Sequence, residues 1–389
     1  GKSEGEWHGI YSKKEQEDCY DLIEWIAQQP WCSGNVGMVG VSYFGIIQLL
    51  VAAMQPPHLK LIMSIEGIDD FHLHTDRGCI ITPFYHDLES VIVINNGVPE
   101  SEKLYTKEEL KRKIKERLDD PDIKDLSYYV KVLTCWPPRH HPFFFDLLIH
   151  PLDGSFWHER SAYTRYDRIK VPVYLCDPWI SFGRYSQGIF RAFMDPKLAA
   201  PKKVAILEHF LQGRFPYRTA NEEMLRWYSH WLLGIDTGIM DEPPIKILVM
   251  GVNRYRWEKE FPLARTKWTK FYLKRFGKLD TEPEQEGNLP PDPLTHIPPA
   301  ITTEVQSLRY STAPFVNPLE ITGPIVLYLN ASIDTEDANI IAKLWDVLPS
   351  GEKRNISAGA LRLSHRTLMK EKSKPWWPVH DHTKSIPVK

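Results

Sequence analysis

Helix-type and strand-type hydrophobic patterns alternate near the start of this chain, and this alternation restricts its fold more than any other feature. The order is helix, strand, helix, strand, over Lys14–Gln29, Val36–Val41, Gly45–Met54 and Leu59–Ile65. The helical segments repeat apolar residues at positions three and four apart, and the strand segments are short continuous apolar runs. This order is typical of a parallel sheet covered by helices, so the sequence predicts an α/β core.

The rest of the chain shows two further sequence patterns. The alternation disappears over 67–160, which contains the charged helical stretch Lys107–Leu118 and many aromatic residues, and it resumes with the strand pattern Ile169–Cys176. Beyond 241, short alternating strands such as Ile245–Met250 and Ile325–Leu329 are separated by Pro, Gly, Asp and Asn, which indicates a β-sandwich. We therefore predict four segments: core 1–66, helical cap 67–160, core 161–240 and β-sandwich 241–389.

Composition narrows the class of protein and of partner. The 31 prolines among 389 residues exclude a coiled coil and a bundle of long helices, because proline ends helices. The net charge of −2 gives no basic excess for nucleic acid or anionic lipid, and no apolar window reaches the ~18 residues of a membrane span. We expect a small-molecule substrate, no nucleic acid and no membrane, and leave a homo-oligomer open.

The distribution of cysteine and histidine predicts no metal site. The five cysteines lie far apart without a C-x-x-C pair, which also argues against a disulfide framework and favours a reducing, cytoplasmic location. The chain opens at Gly1 without Met, so a targeting signal before it is left open. The pairs His72-x-His74 and His140-His141 have no matching ligand set, and we interpret them as solvated cap loops. No dinucleotide fingerprint is present, and we expect no cofactor.

The segment Gly40-Val-Ser-Tyr-Phe-Gly45 follows a strand pattern and opens a helix pattern. In one interpretation Ser42 is a nucleophile on a strained strand-to-helix turn, and the Tyr43 N–H donates to a developing oxyanion. In the other, the segment is an ordinary glycine-rich turn. The strand–turn–helix context favours the nucleophile.

Several stretches together resemble the CocE/NonD family, which includes cocaine esterase and X-Pro dipeptidyl-peptidase. They are Ser3–Trp7, Glu17–Trp31, Gly34–Tyr43, Leu233–Gly251, Pro318–Gly323 and Ala331–Asp334. The resemblance implies an α/β-hydrolase core with a helical cap insertion, followed by an all-β jelly-roll sandwich. It also implies that the family's first strands, which carry an oxyanion-hole Tyr, and its last jelly-roll strands lie outside this chain.

The same resemblance reveals departures at the expected partners of Ser42. Alignment on Trp179 puts Ser181 where the family has the catalytic Asp, and Gln212 stands where it has the catalytic His. Neither side chain can replace its counterpart, because Ser carries no charge and Gln is no base near neutral pH.

Two nearby residues are candidates for those roles. His209 is a candidate base, with a hydrogen-bonded loop residue as the alternative. Asp177 is a candidate to orient that base, with a turn former before Pro178 as the alternative. The resulting catalytic set is Ser42, Tyr43, His209 and Asp177.

Aromatic residues of the cap, together with the residues at the departing positions, form the candidate substrate-binding set. This set comprises Trp179, Ser181, Gln212 and Phe144. The cap aromatics line an apolar pocket in one interpretation and form the cap's own small core in the other.

The residues are compatible with three function classes. The first is a serine hydrolase acting on an ester or amide of a small, largely apolar molecule. The second is a family member with a degenerate triad that carries out cyclisation, isomerisation or elimination in a biosynthetic pathway. The third is a non-catalytic scaffold.

Overall fold

A computed structural model gives the structure of this protein. It describes residues 4–5, 7–81, 98–135, 141–179, 185–207, 218–284, 290–297 and 301–388, without the side chains of 218 and 219. The chain divides into two units, one formed by Gly1–Glu260 with Ile325–Lys389 and the other by Phe261–Pro324.

A six-stranded sheet lies at the centre of the first unit. Its strands, in spatial order, are β1 (Val36–Val41), β2 (Leu59–Ile65), β5 (Val173–Pro178), β6 (Lys202–Leu207), β7 (Ile245–Val249) and β8 (Arg254–Glu258). The first five run parallel and β8 pairs antiparallel to β7. The mostly parallel sheet confirms the α/β core.

Helices precede, connect and follow these strands. Around the sheet they are α1 (Lys13–Ala27), α2 (Tyr43–Ala52), α10 (Ser186–Met194) and α11 (Arg218–Leu233). Between β2 and β5 the described helices are α3 (Phe71–Thr75), α4 (Ser101–Leu104), α5 (Lys107–Leu118), α6 (Pro121–Lys124), α7 (Ser127–Thr134), α8 (Pro142–Ile149) and α9 (Ser155–Glu159), with a 3-10 turn at Ala162–Arg168. This helical segment interrupts the strand order where the sequence analysis expects a cap.

Side-chain alternation along β2 shows how the sheet is covered on both faces. Leu61, Met63 and Ile65 are buried in a core cluster with Trp227 of α11. The intervening Ser64 donates from its hydroxyl to the Gly45 carbonyl of α2 at 2.8 Å. Because successive side chains of a strand point to opposite faces, α2 and α11 cover opposite sides of β2. Burial on both faces explains the nearly continuous apolar run of this strand.

The strand β7 belongs to the central sheet and not to the β-sandwich in which the sequence predicts it. The segment expected to begin the sandwich, Ile245–Met250, forms β7 and pairs parallel to β6, with Val204 opposite Ile245. Ile245 and Ile247 are buried in this position, which stabilises the extension of the sheet. The sheet therefore continues through β8, and the domain boundary at 241 remains a prediction.

The described residues beyond the sheet form short two-stranded ladders. The ladders are β9 (Tyr272–Lys274) with β10 (Lys278–Asp280), and β11 (Asn339–Val347) with β12 (Lys353–Arg362). A third two-stranded ladder, β3 (Asp76–Arg77) with β4 (Ile80–Ile81), lies in the cap segment. The expected strand at Ile325–Leu329 is described as coil. The jelly roll thus stays a prediction.

None of the described helices has the length and apolar character that a bilayer crossing requires.

Candidate active site

Ser42 occupies the turn between β1 and α2 with an unusual backbone conformation. Its φ of 55° and ψ of −114° lie where residues with a side chain are rarely found. Its N–H continues the sheet by donating to the Ile65 carbonyl at 2.9 Å, and its own carbonyl accepts from Gly45 and Ile46 at 2.8 Å. One residue therefore ends the strand and begins the helix, which is the arrangement expected of a nucleophile elbow.

The two glycines of the motif allow close approaches on either side of Ser42. A Cβ at Gly40 would lie 2.4 Å from the Phe44 Cβ, and one at Gly45 would lie 2.3 Å from the Ile65 carbonyl oxygen. Phe44, where a tighter motif has glycine, points outward and is 68% exposed. The longer G-x-S-x-x-G spacing therefore fits this turn, because β2 approaches the backbone at position 45 rather than 44.

A phenol lies within hydrogen-bond distance of the Ser42 hydroxyl. The Ser42 Oγ is 3.1 Å from the hydroxyl of Tyr185, and either oxygen can be the donor. The Ser42 side chain does not cap α2, so its hydroxyl is used for this contact. Tyr185 is buried, precedes α10, and has its ring 5.1 Å from the imidazole of His74 in α3. Tyr185 was not among the predicted site residues, and His74 was expected in a solvated loop, since no spacing links positions 42, 74 and 185.

An ion pair between a buried carboxylate and a partly exposed arginine holds the helix that follows Tyr185. Asp69, fully buried after β2, accepts from the Arg191 Nε at 2.6 Å and from its Nη2, and also from the Tyr166 hydroxyl at 2.7 Å. These charge-assisted contacts fix α10 to the loop beyond β2. A Cβ at Gly188 would lie 2.8 Å from the Asp69 Oδ1, so glycine allows this approach.

The side chain and the backbone of Tyr43 serve different purposes. Its hydroxyl donates to Glu15 Oε1 at 2.6 Å, which anchors α2 to α1. Burial, followed by the Glu15 carboxylate, raises the pKa of Tyr43 well above its usual range, so the phenol stays protonated at neutral pH. Its N–H belongs to the first turn of α2, where N–H groups have no acceptor within the helix. That N–H is the group expected to face an oxyanion.

Asp177 lies at the same edge of the sheet as Ser42. It is fully buried near the end of β5, opposite Ile206 of β6, and the carboxyl ends of parallel strands meet at one edge. The alternative that made it a turn former is wrong, because Asp177 and Pro178 both belong to the strand. Its expected partner His209 lies outside the described residues, two positions beyond the end of β6.

The residues of the candidate binding set fall in different places. Ser181 and Gln212 also lie outside the described residues. Trp179 donates from its Nε1 to the Leu248 carbonyl at 2.7 Å and stacks on Phe190, so its indole fastens β7 to α10. Phe144 is fully buried in α8 with its ring 5.3 Å from that of Tyr129. This packing favours the cap's own core, and a contact between Phe144 and substrate stays a prediction.

The two histidines of α3 differ from their expected solvated state. His72 is 1% exposed and His74 is 5% exposed. The interpretation of this pair as solvated loop residues is therefore wrong, because α3 packs inside the cap segment, where the His72 ring lies 5.0 Å from that of Trp157.

Comparison with known proteins relates this chain to a group of hydrolases. Residues 1–206 match the profile of X-Pro dipeptidyl-peptidase (S15 family), and residues 237–387 match that of the X-Pro dipeptidyl-peptidase C-terminal non-catalytic domain. Cocaine esterase from Rhodococcus sp. (strain MB1 Bresler) is 24% identical over 94% of this chain and 71% of its own length.

Solved structures share the fold. A CocE/NonD family hydrolase from Staphylococcus aureus superposes with a TM-score of 0.68 at 22% identity, over 100% of this chain and 65% of the other. An aminopeptidase from a marine sediment archaeon, Thaumarchaeota archaeon, gives a TM-score of 0.66 at 17% identity, over 96% of this chain and 67% of its own. This chain thus spans about two thirds of the length of such proteins. With an α/β-hydrolase-like sheet and the S15 profile over more than half of its residues, the chain belongs to the X-Pro dipeptidyl-peptidase (S15) family of CocE/NonD-type hydrolases.

Proposed function

We propose that this protein is a serine hydrolase that cleaves an ester or amide of a small, largely apolar molecule, with Ser42 as the nucleophile. The observation that carries the proposal is the conformation of Ser42, whose positive φ places a serine on the tight turn between β1 and α2. Such strain is costly and persists where the surrounding structure enforces it, often at reactive sites.

The chemistry follows from the groups around that turn. The Ser42 Oγ attacks the substrate carbonyl carbon as its proton moves to a base, for which His209 remains our candidate, with Asp177 to orient it. The Tyr43 N–H donates to the oxyanion of the tetrahedral intermediate. Collapse expels the alcohol or amine with that proton, and water then releases the acyl group from Ser42 as a carboxylic acid.

Tyr185 adds a role that the sequence analysis does not contain. Its hydroxyl lies 3.1 Å from the Ser42 Oγ, so it can hold that oxygen by a hydrogen bond before attack. We propose Tyr185 as a positioning residue for the nucleophile, since α10, which it immediately precedes, is held by the Asp69–Arg191 pair.

The same contact favours a second candidate function. A phenol beside a serine hydroxyl can move a proton without forming an acyl-enzyme. A cyclisation, isomerisation or elimination would use the pair in this way, with the departures at Ser181 and Gln212 explained by loss of the hydrolytic triad.

Labelling with a fluorophosphonate probe tests the proposal. We expect stoichiometric labelling of the wild type and none of Ser42→Ala, because the probe reacts with an activated serine oxygen. The matched control is Ser33→Ala, which removes a hydroxyl from the loop before β1 and should label normally. A wild type that is folded by circular dichroism but unlabelled would reject the hydrolase and leave the second candidate.

Removal of the Tyr185 hydroxyl tests the positioning role. Tyr185→Phe should slow labelling by roughly 10²-fold, the usual effect of losing one aligned hydrogen bond at a reacting centre. Tyr228→Phe is the control, since the described residues offer its buried hydroxyl no hydrogen-bond partner. Equal labelling rates for wild type and Tyr185→Phe would contradict the role. If the hydroxyl itself is required, labelling of Tyr185→Phe should stay slow at every pH.

A further inference from the structure

A thiol and two imidazoles that belong to distant parts of the sequence lie close together in space. Cys79, His365 and His382 each offer one ligand atom, and these three atoms lie within 4.8 Å of one another. Cys79 Sγ is 2.8 Å from His382 Nδ1, across 303 positions of sequence. The rings of His365 and His382 stack with their centroids 5.7 Å apart. This cluster lies within the first unit of the chain.

Two members of the cluster are buried, His382 is half-buried, and one nitrogen of the cluster has no hydrogen-bond partner within the described ranges. Cys79 is 5% exposed and His365 is 3% exposed. His365 Nδ1 is buried without a hydrogen-bond partner among the described residues. An unpaired buried polar atom destabilises the folded protein, so a metal ion that accepts this lone pair would stabilise it.

A third imidazole, that of the buried residue His72, lies next to the cluster. The His72 ring centroid is 5.6 Å from that of His382, and His72 Nε2 is also buried without a partner in the described part of the chain. Two such unsatisfied nitrogens, one within the cluster and one on the ring next to it, are uncommon in a protein interior. They suggest a cation that each nitrogen could bind.

Backbone contacts fix the segments that carry the three side chains. Cys79 follows Gly78 in the β3–β4 turn, and the Gly78 carbonyl accepts from Arg362 N–H at 2.7 Å. His365 lies in the 3-10 turn immediately after β12. The His382 carbonyl accepts from Asp153 N–H at 3.0 Å. The three side chains are therefore brought together by contacts that do not involve their ligand atoms.

The donor set indicates the class of metal. One thiolate with two or three imidazoles suits Zn²⁺, whereas Mg²⁺ and Ca²⁺ prefer oxygen ligands. Tetrahedral zinc with Zn–S of about 2.3 Å and Zn–N of about 2.0 Å separates sulfur from nitrogen by about 3.5 Å. Cys79 Sγ and His382 Nδ1 would therefore move apart by about 0.7 Å, a shift that side-chain rotation can supply.

We propose that Cys79, His365 and His382 bind a zinc ion that fastens the C-terminal segment to the β3–β4 turn. His72 is the candidate for the fourth coordination position. The Cys79 thiol loses its proton to solvent as the Zn–S bond forms. This site departs from the expectation of no metal, which rested on spacing along the chain.

Cobalt titration of the full chain, after removal of metal by a chelator, tests the site. Co²⁺ should bind with a stoichiometry of one and produce a thiolate-to-cobalt charge-transfer band, and Zn²⁺ should displace it. Cys79→Ser should abolish that band, and His382→Ala should weaken binding about 100-fold. Cys135→Ser removes an exposed thiol and His380→Ala a neighbouring imidazole, and both controls should bind like the wild type.

The proposal also has a test that needs no variant. X-ray absorption at the zinc edge of the zinc-loaded wild type should show one sulfur at about 2.3 Å and nitrogens at about 2.0 Å. A shell of nitrogen and oxygen alone would overturn the proposal, as would a charge-transfer band that persists in Cys79→Ser.

Discussion

Ser42 has a strained backbone conformation that costs folding stability and places its side chain on the turn between β1 and α2. Its φ of 55° with ψ of −114° is a conformation that glycine adopts far more readily than serine. The turn keeps this conformation because the Ser42 N–H is bound by β2 and its carbonyl by the first turn of α2. The strain is therefore imposed by neighbouring elements and independent of the hydroxyl.

This separation of strain from hydroxyl can be measured. Ser42→Gly should raise the free energy of unfolding by about 1 kcal/mol, because glycine relieves the backbone strain. Ser42→Ala is the matched control, since it removes the same hydroxyl and keeps the Cβ. Urea unfolding of both variants checks the expectation, and a Ser42→Gly variant no more stable than Ser42→Ala would contradict it.

At this scale the sequence predicts residues that belong to a continuous motif and misses those joined by the fold. Ser42 is identifiable because a strand, a turn and a helix follow one another within a few positions. Tyr185 and Asp69 are not, since their contacts with Ser42 and Arg191 join segments more than 100 positions apart. The same reason hides the Cys79 cluster.

At the scale of elements, prediction succeeds where the local sequence marks the limits of a strand or helix. The limits of β1, β2 and α5 agree with the sequence patterns Val36–Val41, Leu59–Ile65 and Lys107–Leu118. Continuous apolar runs and a capping box, here Thr106 with Glu109, mark such limits locally. The apolar pattern of β7 predicts a strand but not the sheet that this strand joins, because pairing with β6 is a property of the whole sheet.

The α8 helix contains a buried carboxylate whose environment opposes its charge. Asp146 accepts hydrogen bonds from Ser101 N–H, the Ser101 hydroxyl and Glu100 N–H at 2.6–2.9 Å. Burial nevertheless raises the pKa of Asp146 from 3.8 to about 7, although these donors act in the opposite direction. The carboxyl group therefore binds a proton more tightly in the folded chain than in the unfolded one.

The stability of this element should depend on pH in a defined direction. A raised folded pKa means that stability from Asp146 is greatest below about pH 4 and declines as the pH rises to about 7. The difference in the free energy of unfolding between Asp146→Asn and wild type should change in favour of the variant by up to about 4 kcal/mol from pH 4 to pH 8. This change is expected whatever the difference between the two proteins is at pH 4. Denaturant unfolding across this range measures the slope, and a slope of zero or of opposite sign would contradict the expectation.

The control for this slope is Asp125→Asn. This change removes an exposed carboxylate near the end of α6 and leaves the buried one in place.

At the scale of the whole molecule, segments from distant parts of the sequence complete the first unit. Arg362, the last residue of β12, binds Asp122 of α6 at 2.7 Å and Asp337 at 2.6 Å through its guanidinium group. Its N–H donates to the Gly78 carbonyl. The predicted segments follow one another along the chain, and no local pattern indicates that the cap segment contacts the strands β11 and β12.

Gly78 allows β12 to approach closely enough for the Arg362 N–H to reach the Gly78 carbonyl. Replacement of Gly78 should weaken this contact. A Cβ there would lie 2.1 Å from the Ala360 carbonyl oxygen, and Gly78 also has a φ of +59°. Gly351→Ala is the matched control, because Gly351 has a φ of +84° with nothing within 4 Å of its Cβ position. Gly78→Ala should lower the free energy of unfolding by about 2 kcal/mol more than Gly351→Ala, as overpacking does. Equal losses in thermal unfolding would show that only the backbone conformation matters.

The contact between Cys79 and His382, which spans 303 positions, also sets an order of events during translation. The last strand of the central sheet ends at Glu258, so that sheet can assemble while the ribosome is still adding residues. The β3–β4 turn cannot acquire its final neighbours until residue His382 has been synthesised. Until then the newly made protein presents an open turn, and that interval is when chaperones and proteases would find it.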